Sequence, residues 1–350
     1  MTPRRWLLEA NPALARAITQ VIGERWTTEL TQLNKLKPFA GDPSFREVFL
    51  KSKRETKARF ANWLKATSGQ IVDPDTIFDC QVKRIHEYKR QLLNALRIVV
   101  VYNRLRENPD TKTKMVPRTF FFAGKAAPSY QLAKLIIKFI NNLAATIDAD
   151  PAVSGRLKIV FLPEYNVSLA ERLIPASDVS NQISTAGYEA SGTSNMKFMM
   201  NGALTVGTRD GATIEMAEEA GEENMFLFGL TVEQVENSRA WYSPYWHYEN
   251  EPETRAALDL IFSDHFSRNE PGIFAPLRDT LLTNGDHYMH LADLTSYCQA
   301  HERLGALFAD PGAWAHKAIL NVASSGKFSS DRTIAEYASD IWKAEPHPIP

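Results

Sequence analysis

Between Ile77 and Phe228 the chain alternates short apolar runs with longer helix-compatible segments, and this alternation restricts the fold more than any other feature. Strands are expected at Ile77–Ile85, Arg118–Ala123, Leu157–Leu162, Val179–Ser184, Ala203–Val206 and Asn224–Phe228. Helices are expected at Glu87–Glu107, Ser129–Ile147 and Ser168–Leu173, with a turn around Asn108-Pro109-Asp110. Runs that are apolar throughout, without a polar residue at every second place, belong to strands covered on both faces. Helices between them supply the crossovers that parallel pairing needs. The expected fold class is therefore α/β, a doubly wound Rossmann-like parallel sheet that takes its ligands at the carboxyl ends of the strands.

The flanks are expected to be helical. Thr2 can cap a first helix with Pro3 at its first position; Asn11-Pro12 repeats the device, and Gly23 can end that second helix. Ser44 to Lys65 carries Phe45, Val48, Phe49, Phe60 and Leu64 among many basic residues. It predicts an amphipathic helix on which Lys51-Ser52-Lys53-Arg54 is a solvated face. After Thr231 come Trp241, Tyr242, Tyr245, Trp246 and Tyr248, a cluster expected to serve packing rather than chemistry. The resulting organisation is a helical lead-in over 1–70, the doubly wound domain over 71–310 and closing helices over 311–350.

A net charge of −1 gives no electrostatic case for nucleic acid or an anionic membrane surface as partner. The apolar start breaks off at Arg4-Arg5-Trp6-Leu7-Leu8-Glu9, too short for a signal peptide or a membrane span, so a soluble, cytoplasmic protein is expected. Cys80 and Cys298 form neither a disulfide framework nor a ligand pair. His287 and His290 have a usable metal spacing but no supporting Cys or His pattern; no metal is expected, and both are expected at the surface. Asn321 to Ser329 lacks the first glycine of a P-loop and carries Phe328 after its lysine, which leaves a turn before a helix capped by Asp331 or Thr333. Gly207 to Gly211 does not complete a dinucleotide fingerprint.

Chemistry concentrates between Tyr188 and Gly202. Ser191, Gly192 and Thr193 are small enough for their amides to approach an anion, and the segment from about Thr193 to Met200 is helix-compatible. Thr193 and Lys197 stand at i and i+4, sharing one face. A ligand with a phosphate beside an aldehyde can be gripped by the first turn and bonded by the lysine of the second; pyridoxal phosphate is such a ligand. A lone helical lysine is ordinarily a solvated charge, but Met196, Phe198, Met199 and Met200 make its surroundings apolar, which lowers an amine pKa. A second basic group, Lys83, Arg84 and Lys89, falls where a strand ends and a helix begins. It reads either as a surface loop or as a set of anion contacts.

Ser184-Thr185-Ala186-Gly187, Glu189-Ala190-Ser191-Gly192-Thr193 and Asn195-Met196-Lys197-Phe198 closely resemble the pyridoxal-phosphate signature of the α-glucan (glycogen, starch, maltodextrin) phosphorylases. Asn201 to Thr208, Asp210-Gly211-Ala212 and Glu215 to Asn224 continue the resemblance, which extends over essentially the whole chain. It implies the C-terminal half of a GT-B-type glycosyltransferase fold, with the closing helices packing toward an N-terminal domain. It implies reversible phosphorolysis of α-1,4-glucan ends to glucose 1-phosphate, with the 5′-phosphate of the cofactor relaying a proton. Residue by residue, Lys197 would form the Schiff base to pyridoxal 5'-phosphate. Lys83, Tyr165 and the amides of Gly192, Thr193 and Ser194 would lie around the cofactor. Arg84 and Lys89 would hold inorganic or sugar phosphate, and Glu189, Ser191 and Gly192 would hold sugar hydroxyls. Asn166 departs from the family, which commonly has Arg there, and Tyr188 replaces a smaller or polar residue. The implied partners are the glucan, phosphate and, in a split enzyme, an N-terminal phosphorylase half; homo-oligomerisation is left open. The alternatives are a cofactor-loaded but inactive module or partner subunit, and a generic doubly wound nucleotide-binding enzyme.

Overall fold

The computed structural model describes residues 1–108, 115–345 and 347. Six strands form one parallel sheet: β1 (Ile77–Val82), β2 (Arg118–Ala123), β3 (Leu157–Leu162), β4 (Val179–Gln182), β5 (Leu204–Gly207) and β6 (Phe226–Leu227). Their spatial order is β3-β2-β1-β4-β5-β6. The chain winds outward from β1 through β2 to β3, then returns to β1's other side and winds outward again through β4, β5 and β6. Register is set by pairs such as Cys80 with Phe121, Phe121 with Val160, and Val179 with Leu204. Every residue of β1 and β2 is buried, including Asp79 and Gln81 of β1 and Arg118 and Thr119 of β2, so both lie covered on both faces. The Rossmann-like doubly wound α/β fold is what the sequence implies.

Element ends differ in instructive ways. Ile85 and Ile183 prolong the apolar pattern of β1 and β4, and both are core residues, but the ladder has already ended at Val82 and Gln182. The expected helix Glu87–Glu107 is a short 3-10 turn, Glu87–Lys89, and then a helix, Gln91–Glu107. Between them Arg90 takes a left-handed conformation (φ 57°) that no helix can include. The turn at Asn108-Pro109-Asp110 lies largely outside the described residues. The first helix, Arg4–Glu9, has the wide π form, with Pro3 at its cap position and no side-chain cap; Thr2 contributes only its carbonyl, to Trp6 N. Asn11 does cap Pro12–Ile22, its side chain accepting from Leu14 N, and Gly23 ends that helix at φ 78°. Near the other end, Ser329, and neither Asp331 nor Thr333, caps the helix Ser330–Glu336.

The basic run at 51–54 corrects a second expectation. On the helix Pro43–Ser68, Lys51 and Arg54 are solvated, but Lys53 is buried. Its ammonium donates to Pro175 O, Ser177 O and Asn201 O at 2.9, 2.8 and 2.8 Å. One turn on, Lys57 pairs with Asp178 at 2.5 Å and donates to Thr76 O at 2.7 Å. Two buried ammoniums on one helical face thus fasten the lead-in helix to the chain just before β1 and β4. Replacing Lys53 by Met keeps the volume but strands three buried carbonyls. The expected loss is about 2–4 kcal/mol in a urea titration, whereas Lys51→Met on the same helix should change stability by less than about 0.5 kcal/mol.

The aromatic segment, expected to serve core or interface packing, lies largely outside the core. Trp241, Tyr245 and Trp246 are 75%, 46% and 57% exposed, so they are not core residues. Tyr242 and Tyr248 are tied in, donating to Asp286 at 2.8 Å and to Asp259 at 2.6 Å.

Candidate active site

Where a doubly wound sheet reverses direction, the loops leaving the two central strands diverge to opposite sides and open a crevice. Here those strands are β1 and β4. The loop after β1 carries Lys83, Arg84 and Lys89; the loop after β4 carries Glu189 to Ser194 and leads into the helix Ser194–Met200 with Lys197. The sequence candidates from the two halves of the chain therefore emerge at one edge of the sheet.

Three contacts stitch the two loops. Thr185 N donates to Tyr88 O at 3.0 Å. Lys89 Nζ lies 2.5 Å from Glu189 Oε2. Arg90, fully buried, donates through Nε to Ile183 O at 2.6 Å and through Nη2 to Ser184 O at 3.2 Å, while Nη1 pairs with Asp293 at 2.7 Å. Asp210, after β5, completes the frame. One oxygen accepts from Ser184 Oγ and Glu189 N, both at 2.8 Å, and the other from Gly187 N and Gly211 N at 3.1 and 3.0 Å. Gly211 has φ 51°, and a Cβ there would stand 2.5 Å from Ser191 O, so the glycine lets the β5 loop press against the anion-facing segment.

Arg90 and Asp210 are the residues that sequence reasoning missed. Arg90 is the last letter of a basic run and gives no sign of burial. Asp210 stands within a glycine-rich turn considered only as a dinucleotide fingerprint and a family match.

The electrostatics favour an anion. Among the described residues, the side chains of Lys83, Arg84 and Lys197 have neither an ion-pair partner nor a hydrogen bond. Burial pulls the Lys83 amine down to about 8; Glu189 and Asp210 oppose that shift and Lys89 adds to it. Burial would also lower Lys89, but its bonds to Glu189 and Tyr88 raise it overall. The amine of Lys197, half-buried, lies 4.2 Å from the centre of the Trp6 ring; burial, then Arg5, lowers its pKa. Lys197 is thus not a solvated charge, although its ammonium faces the opening helix and not the Lys89–Glu189 pair.

The remaining candidates are spread around this centre. Gly192 has φ 80° and a Cβ on it would meet Asn195 Nδ2 at 3.2 Å, so the turn before Thr193 and Ser194 is built for glycine. Ser191 O is engaged by Ala212 N at 2.8 Å. Tyr165 follows β3, two strands from the crevice, where burial and then the Cys80 thiol push its hydroxyl up to about 12. Asn166 caps the helix Val167–Ala176 through Leu169 N at 3.0 Å, so its side-chain oxygen is occupied as an acceptor. Tyr188 stacks at 6.2 Å on Tyr88, and its hydroxyl meets Arg239 Nη2 at 2.8 Å and His287 Nε2 at 3.1 Å. His290, expected at the surface, is buried against Asp286 at 2.7 Å. Among the described residues no three His, Cys, Asp or Glu side chains gather as a metal site requires.

A pH dependence follows from Lys83. Its amine is cationic below about pH 8 and neutral above, so attraction for an anion is lost as pH rises through that value. Sulfate, which does not titrate in this range, is expected to bind about tenfold more weakly at pH 9 than at pH 7 by calorimetry. Lys83→Met should bind weakly at both and remove the step.

A parallel sheet wound in two directions, with unpaired cations over its point of reversal, defines a Rossmann-like domain of the kind that forms one half of a GT-B glycosyltransferase. The chain belongs to the carbohydrate phosphorylase family, whose sequence pattern matches residues 1–344. It is 50% identical over 347 residues to the glycogen phosphorylase of Synechocystis sp. and 51% identical over 347 residues to the brain-form glycogen phosphorylase of Bos taurus. A glycogen phosphorylase of Chlamydia pneumoniae is 49% identical over 346 residues. These alignments take in 98–99% of this chain but only 40–41% of the relatives' length.

Proposed function

We propose that this chain is the cofactor- and phosphate-binding half of an α-glucan phosphorylase, acting in reversible phosphorolysis of α-1,4-glucan ends to glucose 1-phosphate. The observation that carries the reading is the set of unpaired cations, Lys83 and Arg84 on the loop after β1 and Lys197 on the helix that follows the β4 loop, in a phosphorylase-family sheet. In this reading Lys197 bonds the aldehyde carbon of pyridoxal 5'-phosphate, and Lys83 with the amides of Gly192, Thr193 and Ser194 neutralises the cofactor's phosphate. The fit rests on an amine whose pKa burial lowers, as attack on an aldehyde requires, and on a glycine turn open to close approach. In the same reading Tyr165, after β3, lies near the cofactor. When bound, the cofactor supplies a phosphate that exchanges a proton with the substrate phosphate.

Arg84 and Lys89 hold the inorganic or sugar phosphate in the proposed site. Two phosphates close together repel strongly, and surrounding cations reduce that repulsion. Glu189, already oriented by Lys89 and by its own amide on Asp210, accepts a sugar hydroxyl, as do Ser191 and the Gly192 backbone. The division into lead-in 1–70, cofactor domain 71–310 and closing helices 311–350 belongs to the same proposal. Ile334, Tyr337, Ile341 and Trp342 are 45–65% exposed on the closing helices, which supports their packing toward an N-terminal half. The buried free thiols Cys80 and Cys298 suit a reducing, cytoplasmic setting. Among the described residues no helix is long and apolar enough to cross a membrane.

The test is to incubate the purified chain with pyridoxal 5'-phosphate, reduce with borohydride and map the peptides. A pyridoxyl group on Lys197 is expected; its absence there overturns the cofactor assignment. A second reading is a cofactor-loaded but inactive module or partner subunit. Assaying glucose 1-phosphate from maltodextrin and phosphate, with and without an N-terminal half in trans, separates the two.

A further inference from the structure

Away from the crevice, at the amino-terminal edge of the sheet, a cavity of about 420 Å³ opens between the helices Gln91–Glu107 and His290–Phe308. Its floor is a buried charge network. Asp79, in β1, shares its carboxylate between two arginines: Arg118 Nη1 at 2.8 Å and Arg97 Nη1 at 3.6 Å. The second distance is an ion pair but too long for a hydrogen bond. Asp79's other oxygen accepts from Asn181 Nδ2.

The rest of the network fixes the protons. Asn181 Oδ1 accepts from Tyr297 Oη at 2.7 Å and His301 Nε2 at 3.1 Å, so the imidazole carries its proton on Nε2. Its Nδ1 is then free to accept from Arg118 Nη1 at 2.7 Å, and the ring is neutral. The count is therefore two guanidiniums against one carboxylate. Arg97 and Arg118 are only 3% and 4% exposed, yet Arg97 Nη1 and Arg118 Nε have no hydrogen-bond partner. On the rim, Arg104 is shared between Glu302 at 2.6 Å and Glu253, and both carboxylates are half-exposed, so they are solvated by water and screened from the buried floor. Buried charges ordinarily come paired, so one positive charge here lacks a full counterpart; the rings of Phe120 and Tyr297, 5.3 and 5.6 Å from Arg97 Cζ, offset it only in part.

The walls determine what that counterpart is. Val101, Met115, Val116, Cys298, Gly305 and Ala306 make them largely apolar. A water molecule can satisfy a donor but not a charge. A sugar phosphate brings hydroxyls that these walls cannot pair. We propose that this cavity binds a monoanionic carboxylate with an apolar body, its head on Arg97 and Arg118 and its chain along the wall of Val101, Val116 and Ala306. The site is independent of the catalytic reading: it uses the opposite edge of the sheet and none of the same residues.

Octanoate is the probe, titrated calorimetrically into the full chain, with octanol as the uncharged control. Ala306 is exposed on the cavity mouth, so Ala306→Trp fills the opening without disturbing the buried network. Saturable octanoate binding is expected, with octanol at least about tenfold weaker and Ala306→Trp at least about tenfold weaker for octanoate at an unchanged melting temperature. Arg97→Met should lose octanoate in the same way while retaining a folded far-UV spectrum. No saturable octanoate binding, equal binding of octanol, or undiminished binding by Ala306→Trp would each overturn the proposal.

Discussion

Replacing Arg90 by Met is expected to lower the unfolding free energy by about 3–5 kcal/mol, because it leaves a buried carboxylate without its counter-charge. Arg90 is fully buried and Asp293, its partner at 2.7 Å, is 2% exposed. The same guanidinium donates to Ile183 O, Ser184 O and Met289 O, the last at 3.2 Å; Ser184 O keeps Thr208 Oγ1 and Met289 O keeps Asp293 N, so the further loss falls mainly on Ile183 O. Asp293 also accepts from Leu230 N at 2.9 Å, and it presses on Gly229, where a Cβ would stand 2.7 Å from its carboxylate. The carboxylate thus cannot turn toward solvent without breaking the segment after β6. Arg90→Lys keeps the charge but offers one donor centre in place of a fork, and should fall between wild type and Met. A shift of the urea midpoint at constant slope measures the loss; a change below about 1 kcal/mol would mean that Asp293 is not held by Arg90 in solution.

That residue marks the limit of what the sequence discloses. β2 and β3 are legible to the residue because Phe120 to Ala123 and Ile159 to Leu162 are continuous apolar runs preceded by the polar Arg118-Thr119 and Lys158. The exits of β1 and β4 are not, since Ile85 and Ile183 are core residues outside the ladder, and apolarity cannot tell pairing from packing. Lys53 and Lys57 show the same limit with charge. Their i, i+4 spacing is visible, but the carbonyls and carboxylate that bury them belong to residues 19 to 148 positions away.

The candidate site divides along the same line. Lys83, Arg84, Lys89 and Glu189 are residue types that suit anions and sugars, and they stand on the loops that the strand order brings to one edge. The groups that hold those loops, Arg90 and Asp210, are framing residues whose role lies in partners far along the chain. His290 was unreadable for a related reason. Asp286, one helical turn before it, supplies the buried acceptor that makes an inward histidine tolerable. Asn166, the clearest departure from the family pattern, has a local explanation, since Asn is among the best helix caps.

Lys197→Ala is expected to reduce retention of pyridoxal 5'-phosphate after desalting by at least about a hundredfold, the difference between a covalent and a reversible hold. The amine is suited to the bond because burial and Arg5 favour its neutral form and no acid competes for it. Lys197→Arg should fail as completely, since a guanidinium keeps the charge but offers no neutral amine near pH 7. Trp6→Ala tests the surroundings. It removes the ring 4.2 Å from the ammonium, opens the amine to water and should slow capture at both pH 7 and pH 9, sparing it only above the ordinary lysine value of 10.5. Lys83 is the natural competitor, with an amine at about 8. If Lys197→Ala still retains cofactor and the pyridoxyl group maps to Lys83, the aldehyde lies over the β1 loop and the assignments of the two lysines must be exchanged.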